Sequence, residues 1–174
     1  MAGSSSRIPI TRAGSIMLKN ELKRLKAVER PKVIEALAEA RGHGDLSENA
    51  DYDAAKNHQA FIEGRIAAID DKLARAETVD VSKLSGSRVL FGATVTLADD
   101  DGTVIVYQIV GDIEADFKKR RISISSPIAR ALIGREEGET VTVKGPDGAG
   151  GAAREREYEI RAVAFVEEEI TDES

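Results

Sequence analysis

Two carboxylates with a helical spacing, Asp45 and Glu48, are the residues of this chain best suited to chemistry. Because positions three apart lie on one face of a helix, both side chains can point in the same direction. Carboxylate oxygens are ligands that Mg²⁺ prefers, but Mg²⁺ keeps waters and requires further oxygen ligands, so the pair predicts half of a metal site. The same spacing is that of a helix-capping box, and on the spacing alone this purely structural interpretation stays open.

Other chemistry finds little support in the sequence. The chain contains no Cys, which excludes disulfides and thiolate metal sites. His43 is close to Asp45, but His58 would be about three helical turns farther along, so the two imidazoles are not expected to share a metal. Neither a nucleophile with an adjacent base nor a glycine-rich phosphate loop is visible. Arg41 and Lys56 flank the acidic pair, either as solvated helix charges or as a small basic strip able to contact a phosphate backbone.

The acidic pair lies between two long helical patterns. Gly42 and Gly44 can end the first helix, and the second pattern predicts a helix over Leu46–Ala76, about 45 Å long. Its apolar positions recur about every 3.5 residues, the spacing of a two-stranded coiled coil. Pro31 predicts a kink or short break over Glu29–Pro31 that does not end the first arm. The sequence therefore predicts an antiparallel helical hairpin with carboxylates at its tip.

A different pattern follows residue 78. Short runs rich in Val, Ile and Thr alternate with turn residues, as in the strands of a small sheet. The predicted strands are Val89–Phe91, Thr94–Leu97, Val104–Val110, Ile122–Ile124, Thr140–Val143 and Tyr158–Phe165. Asp99–Gly102 is typical of a hairpin turn, and Ser126–Pro127 begins a short helix that ends at Ile133.

The predicted fold class is α+β, with two domains and a tail. Residues 1–78 form the coiled-coil hairpin with its acidic tip at 42–49. Residues 79–166 form a mostly antiparallel sheet with one short helix, and residues 167–174 form an acidic tail.

Charge is divided unevenly between the two halves. The net charge is −6; residues 1–78 hold 13 Lys/Arg and 12 Asp/Glu, whereas residues 79–174 hold 12 and 19. This acidity argues against a free nucleic-acid binder held mainly by phosphate contacts, but not against a protein that reaches nucleic acid inside a larger assembly. No apolar run approaches the roughly 20 residues of a membrane span, and the N-terminus lacks the apolar core of a signal peptide. We therefore expect a cytoplasmic protein.

Several segments resemble, in the same order, the Gre family of transcript cleavage factors. The run Ala38–Tyr52 is similar to the hairpin tip of that family. Three further runs are similar to its second domain: Phe91–Val95, Ile109–Asp112 and Ile122–Gly134. The resemblance covers roughly residues 8–165, and Ala54-Ala55 and Glu114–Phe117 place it closer to the GreA branch than to the GreB branch.

The resemblance implies an N-terminal antiparallel coiled coil and a C-terminal domain similar to the FKBP fold. It also implies binding to bacterial RNA polymerase through the C-terminal domain, for which we expect contacts from Ser126, Pro127, Ile128, Ala129 and Arg130. The hairpin would enter the secondary channel and reach nascent RNA in a backtracked complex. The protein would then be a monomeric accessory factor, because the polymerase itself cleaves the RNA.

The resemblance also assigns roles at the tip. Asp45 and Glu48 would help to hold a catalytic Mg²⁺ and its attacking water, with the metal shared with the polymerase and not bound tightly by the free protein. The residues expected to support the tip are Leu46, Ser47, Asn49 and Tyr52. Arg41 and Lys56 would lie near nucleic acid.

Two alternatives belong to other functional classes. A polymerase-channel inhibitor of the same architecture would need a different acidic cluster at the tip, so the Asp45/Glu48 pair speaks against it. An FKBP-like prolyl isomerase would need aromatic side chains around a proline pocket, and the second half of the chain has few aromatic residues.

Overall fold

The computed structural model describes residues 7–42, 50–144 and 155–172. They fall into two compact units. One is built mainly from Ile16–Arg75, and the other from Ala76–Glu169 together with the described residues up to Ser15. Helices dominate the first unit and strands the second, which confirms the predicted α+β class.

The first unit is an antiparallel helical hairpin. Its first arm contains α1 (Arg12–Arg24), a π-helical turn (Leu25–Glu29) and α2 (Arg30–Gly42), and its second arm is α3 (Ala50–Arg75). The two arms bury one row of side chains each: Leu18, Leu25, Val33, Leu37 and Ala40 on the first arm, and, with the predicted coiled-coil spacing, Ala55, Ile62, Ile66 and Ile69 on the second. The coiled-coil prediction is therefore confirmed, although α3 ends one residue earlier than expected.

The break predicted at Pro31 is a π-helical turn in the residues just before it. The N–H of Arg30 donates to the carbonyl of Leu25, five residues back, where an α-helix would use the fourth. The π-helical turn accommodates one residue more than an α-helical turn. The buried positions Leu25 and Val33 therefore stay on one seam, although they are eight residues apart and the coiled-coil repeat is seven. The first arm therefore continues past Pro31.

Ion pairs flank the seam of the hairpin. Arg65 donates two hydrogen bonds to the carboxylate of Glu21, at 2.7 and 2.9 Å, and Arg30 forms the same two-pronged pair with Glu63. The hydrogen bond from Arg65 holds the pKa of Glu21 below its ordinary value, against the opposing effect of desolvation. Bidentate arginine–carboxylate pairs of this kind fix which residues of the two arms face each other.

The second unit begins with a short pair of parallel strands. Strand β1 (Ile8–Thr11) pairs with β2 (Ala76–Val79), with Thr11 opposite Val79. The hydroxyl of Thr11 accepts a hydrogen bond from the N–H of Gly14 at 3.0 Å and so caps α1.

A five-stranded sheet forms the rest of the second unit. Its strands are β3 (Thr94–Ala98), β4 (Val104–Val110), β5 (Arg121–Ser123), β6 (Thr140–Lys144) and β7 (Glu155–Ala164), in the order β5-β4-β3-β7-β6. All neighbours are antiparallel except β4 and β5, which are parallel because two short 3₁₀ turns return the chain between them. Helix α4 (Pro127–Leu132) contributes Ala129 and Leu132 to the core.

The strand predicted over Val89–Phe91 is wrong. This segment is irregular, with an isolated bridge between Arg88 and Glu136, and a turn at Phe91 and Gly92 follows it. Its apolar character reflects burial, since the side chain of Val89 lies fully within the core.

Candidate functional site

The predicted tip lies outside the described residues; it comprises Asp45, Leu46, Ser47, Glu48 and Asn49, with His43 beside them. The helices on either side of it are described. Ala40, near the end of α2, and Ala55, in the second turn of α3, are both buried, so the packed seam continues to the last turns before the tip. The two arms therefore stay packed against each other up to the last described turns on either side of residues 43–49.

Three of the predicted residues lie on the helices that flank the tip. Tyr52 is half-buried in the first turn of α3, whereas Arg41, in the last turn of α2, and Lys56 are exposed. Asp51 and Asp53 also lie in the first turn of α3, where the helix dipole favours carboxylates. Each arm thus carries one of the two predicted cations at an exposed position.

The predicted polymerase-binding segment forms the start of α4. The hydroxyl of Ser126 accepts a hydrogen bond from the N–H of Ala129 at 3.3 Å, and Pro127 occupies the first helical position. Pro127 and Arg130 are exposed and Ile128 is half-buried, so these three can contact a partner. Ala129 is fully buried, so it can only hold the helix against the sheet.

A polar cluster orders the chain just before α4. The carboxylate of Asp112 accepts hydrogen bonds from the hydroxyls of Ser123 and Ser125, the latter at 2.8 Å. The two hydroxyl oxygens are themselves 2.8 Å apart. The sequence alone does not reveal this cluster, because the serine partners of Asp112 are more than ten residues away along the chain.

Sequence reasoning missed a buried carboxylate, Glu114. It accepts hydrogen bonds from the N–H groups of Thr11 and Gly111, at 2.7 and 3.2 Å, from the hydroxyl of Thr11, and from Arg121 at 2.9 Å. The Glu114 side chain is 1% exposed and that of Arg121 6%. Four donors around one carboxylate indicate a structural anchor, since both of its oxygens are satisfied by hydrogen bonds within the core.

Metal ligands and membrane spans were sought in the same described ranges. Residues 7–42, 50–144 and 155–172 contain no group of three or more His, Asp or Glu side chains placed to hold a metal ion. None of the helices in these ranges is both long and apolar enough to cross a membrane.

The chain is similar to known proteins over nearly its whole length. Residues 8–78 match the family described as "Transcription elongation factor, N-terminal", and residues 84–163 match "Transcription elongation factor, GreA/GreB, C-term". A relative from Anaeromyxobacter sp. (strain K), named transcription elongation factor GreA, is 57% identical over 97% of this chain and 98% of its own. A protein of the same name from Ralstonia nicotianae is 58% identical, over 92% of this chain and 99% of its own.

Among solved structures, a crystal structure of GreA factor homolog 1 from Thermus thermophilus is 28% identical. It aligns over 91% of this chain and 99% of its own, with a TM-score of 0.41.

Proposed function

Since this chain belongs to the GreA/GreB family of transcription elongation factors, we propose that it enters the secondary channel of bacterial RNA polymerase and stimulates cleavage of backtracked nascent RNA. In this proposal the polymerase supplies the catalytic centre and the present chain is an accessory factor. The observation that carries the proposal is the hairpin, whose buried seam extends to Ala40 and Ala55, on either side of the acidic pair in the sequence.

The acidic pair is the part of the chain that acts at the reaction centre. Asp45 and Glu48 offer carboxylate oxygens, a donor set that suits Mg²⁺ and leaves most of its coordination to a partner. When bound, Mg²⁺ would supply an activated water and stabilise the charge that develops at the scissile phosphate. The contribution of this chain is to deliver and orient two carboxylates at the end of a stiff arm.

Docking is assigned to the second unit. Pro127, Ile128 and Arg130 form an accessible surface on α4, which the buried Ala129 and the Asp112 cluster hold in place. Helix α4 and residues 43–49 belong to different compact units, which supports a division of binding and the chemical step between different residues. Variants should therefore separate the two.

The test of the tip uses the full chain and a stalled, backtracked polymerase. Asp45→Asn and Glu48→Gln keep the side-chain size and remove one charge each. We expect each to lower the rate of RNA cleavage at saturating factor by at least about tenfold, because even groups that only orient metal ligands cost roughly 10- to 100-fold. Affinity for polymerase, measured by competition with the parent protein, should stay within about twofold.

The matched control is Asp51→Asn, which removes the same charge from an exposed position in the first turn of α3. It should leave the cleavage rate unchanged. Unchanged cleavage in both tip variants would leave Asp45 and Glu48 as a helix cap and overturn their assigned role. For docking, Arg130→Glu should weaken polymerase binding, whereas Arg135→Glu, at another exposed arginine, should not.

A further inference from the structure

Among the described residues, Phe117 is the most exposed large apolar side chain, at 71%. Its ring lies 6.2 Å from the ring of Tyr107, measured between centroids. Tyr107 belongs to the core of the second unit, so Phe117 lies on the core face of β4, whereas Val104 and Val106 alternate with Tyr107 and point to the opposite face. Phe117 therefore covers Tyr107 with part of its ring and leaves most of its own surface to solvent.

The loop that carries Phe117 is held at its base by backbone hydrogen bonds. The N–H of Asp116 donates to the carbonyl of Arg121 at 2.9 Å, and the N–H of Arg121 donates back at 3.0 Å. Within the loop, the N–H of Arg120 donates to the carbonyl of Phe117 at 3.1 Å. Residues 116–121, here named the Phe117 loop, are thus ordered in the free protein, which lowers the entropy cost of binding through them.

Arg120 places a positive charge beside the two aromatic rings. Its guanidinium lies 5.8 Å from the centroid of the Tyr107 ring, within the range of a cation–π contact. Its φ is 58°, a conformation that is uncommon for residues other than glycine, and its carbonyl is fixed by the N–H of Gln108 at 2.9 Å. Because Arg120 and Phe117 both lie against Tyr107, the charge and the exposed ring are on the same side of the sheet.

The exposed charges of the Phe117 loop are mainly positive. Lys118, Lys119 and Arg120 are exposed, and Asp116 is the one carboxylate of the loop. Arg121 is buried and paired with carboxylates, so it adds no accessible charge. Since electrostatic complementarity selects partners of opposite charge, we expect this loop to face an acidic surface.

Helix α4 lies on the same side of the sheet as Phe117. Ala129 and Leu132 of α4 belong to the same core cluster as Tyr107. The edge strands β5 and β6 are four strand spacings apart, roughly 19 Å. A standard interface of about 800 Å² per partner is roughly 28 Å across. One partner surface is therefore large enough to contact both Phe117 and the exposed Arg130 of α4.

We propose that Phe117 is a docking residue of the second unit, which inserts its ring into an apolar recess of RNA polymerase while Arg120 faces carboxylates beside that recess. This inference rests on the function proposed above and extends its docking surface beyond α4. A buried aromatic side chain surrounded by charged groups is typical of the energetic centre of a protein interface. A nucleic-acid partner is disfavoured, because residues 79–174 hold 12 Lys/Arg and 19 Asp/Glu.

The experiment measures RNA cleavage by a stalled, backtracked polymerase at increasing concentrations of the full chain. The half-saturating concentration reports docking, and the rate at saturation reports the action of the tip. Phe117→Ala should raise the half-saturating concentration by at least about tenfold, as truncation of a central aromatic residue does at other interfaces. The rate at saturation should not change, because the tip residues are intact.

The matched control is Val104→Ala, since Val104 is 51% exposed on the opposite face of β4. It should leave the half-saturating concentration unchanged. Both variants alter surface side chains and should keep the thermal midpoint of the parent. An equal loss of affinity in Val104→Ala, or a loss in Phe117→Ala that follows a fall in its thermal midpoint, would make Phe117 a packing residue and overturn the proposal.

The charge of the partner surface is tested with Arg120→Gly, which removes the guanidinium and relieves the positive φ. It should raise the half-saturating concentration several-fold at low salt, and the defect should shrink at higher salt because exposed charges are screened. The defect of Phe117→Ala should persist, since contact of an apolar ring does not depend on charge. Equal affinities of Arg120→Gly and the parent at low salt would overturn the assignment of an acidic partner surface.

The outcomes distinguish this inference from the function on which it rests. If the parent stimulates cleavage and Phe117→Ala does so at the same concentrations, Phe117 is not a docking residue and the proposed function stands. If the parent neither binds polymerase nor alters cleavage, the proposed function is wrong and the inference is wrong with it.

Discussion

The carboxylate of Glu114 accepts a hydrogen bond from the backbone N–H of Thr11 at 2.7 Å, although 103 residues separate them along the chain. Thr11 is also the cap of α1, since its hydroxyl accepts from the N–H of Gly14. The start of the first helix is therefore fixed by a group from the second half of the sequence. Arg121 compensates the buried charge, at 2.9 Å.

Truncation of Glu114 should be strongly destabilising. In Glu114→Ala the guanidinium of Arg121 is left buried beside an empty space, and Thr11 loses its acceptor. We expect the free energy of unfolding to fall by about 3–5 kcal/mol, as when one partner of a buried pair is removed. Urea unfolding of the full chain, followed by circular dichroism, measures this.

A matched variant at a surface ion pair shows how much of the loss of stability in Glu114→Ala is due to burial of the pair. Glu136 forms a surface pair with Arg88 at 3.0 Å, and its side chain is 43% exposed, against 1% for that of Glu114. Glu136→Ala should therefore shift the urea midpoint far less than Glu114→Ala. Similar shifts for the two variants would show that Glu114 contributes no more than a surface charge does.

The position of the Glu114 carboxylate predicts that alanine has opposite effects on stability at two helical glycines. A Cβ added at Gly14 would lie 2.3 Å from Oε1 of Glu114, whereas a Cβ at Gly64, in the middle of α3, would meet no atom within 4 Å. Gly14→Ala should thus cost about 1–3 kcal/mol through overpacking. Gly64→Ala should stabilise by about 0.5–1 kcal/mol, since alanine favours the helix. Thermal unfolding of both variants tests the contrast, and stabilisation by Gly14→Ala would contradict the close approach.

The hairpin could be predicted because its determinants are local. Ile62, Ile66 and Ile69 recur with the period of the coiled coil, and all three are buried. Even the π-helical turn between Leu25 and Val33 could be anticipated locally, because Pro31 predicts a break in the helix at this place. Each of these positions is specified by neighbours within about two helical turns, and a sequence pattern records such neighbours directly.

The parts that could not be predicted depend on distant partners. The pairing of β1 with β2 joins Ile8 to Ala76, and neither short segment has a distinctive pattern of its own. Glu114 could not be identified as buried, because its donors Thr11 and Arg121 lie on opposite sides of it in the sequence. Burial of a carboxylate follows from the partners that the fold brings together, which composition does not reveal.

The pair between Glu21 and Arg65 predicts a pH dependence of the hairpin. The hydrogen bond from Arg65 lowers the pKa of Glu21 from its ordinary value of 4.5. A carboxyl group with a lowered folded-state pKa contributes stability above the unfolded value, and this contribution is lost as the pH falls through the folded value. Glu21→Gln should therefore lower the thermal midpoint at neutral pH.

The difference between parent and Glu21→Gln should shrink as the pH falls below about 4.5 and vanish once Glu21 is protonated in both states. Melting curves over this acidic range provide the measurement, with Glu35→Gln as a control at an exposed position of α2. A difference that stays constant with pH would show that the pair contributes by packing and not by charge.

The purified protein should bind Mg²⁺ only weakly and should not cleave RNA by itself. Asp45 and Glu48 supply two carboxylates, whereas Mg²⁺ dehydrates reluctantly and requires a nearly complete octahedron. Charges exposed to solvent are in addition screened by salt. Metal dependence should therefore emerge only with the polymerase, whose own ligands and the RNA phosphate would complete the coordination.

Calorimetric titration of the free chain with MgCl₂, together with incubation with naked RNA, tests both statements. A Mg²⁺ site of micromolar Kd that is lost in Glu48→Gln, or RNA hydrolysis that persists in the parent after removal of contaminating nucleases and disappears in that variant, would make this chain an enzyme in its own right.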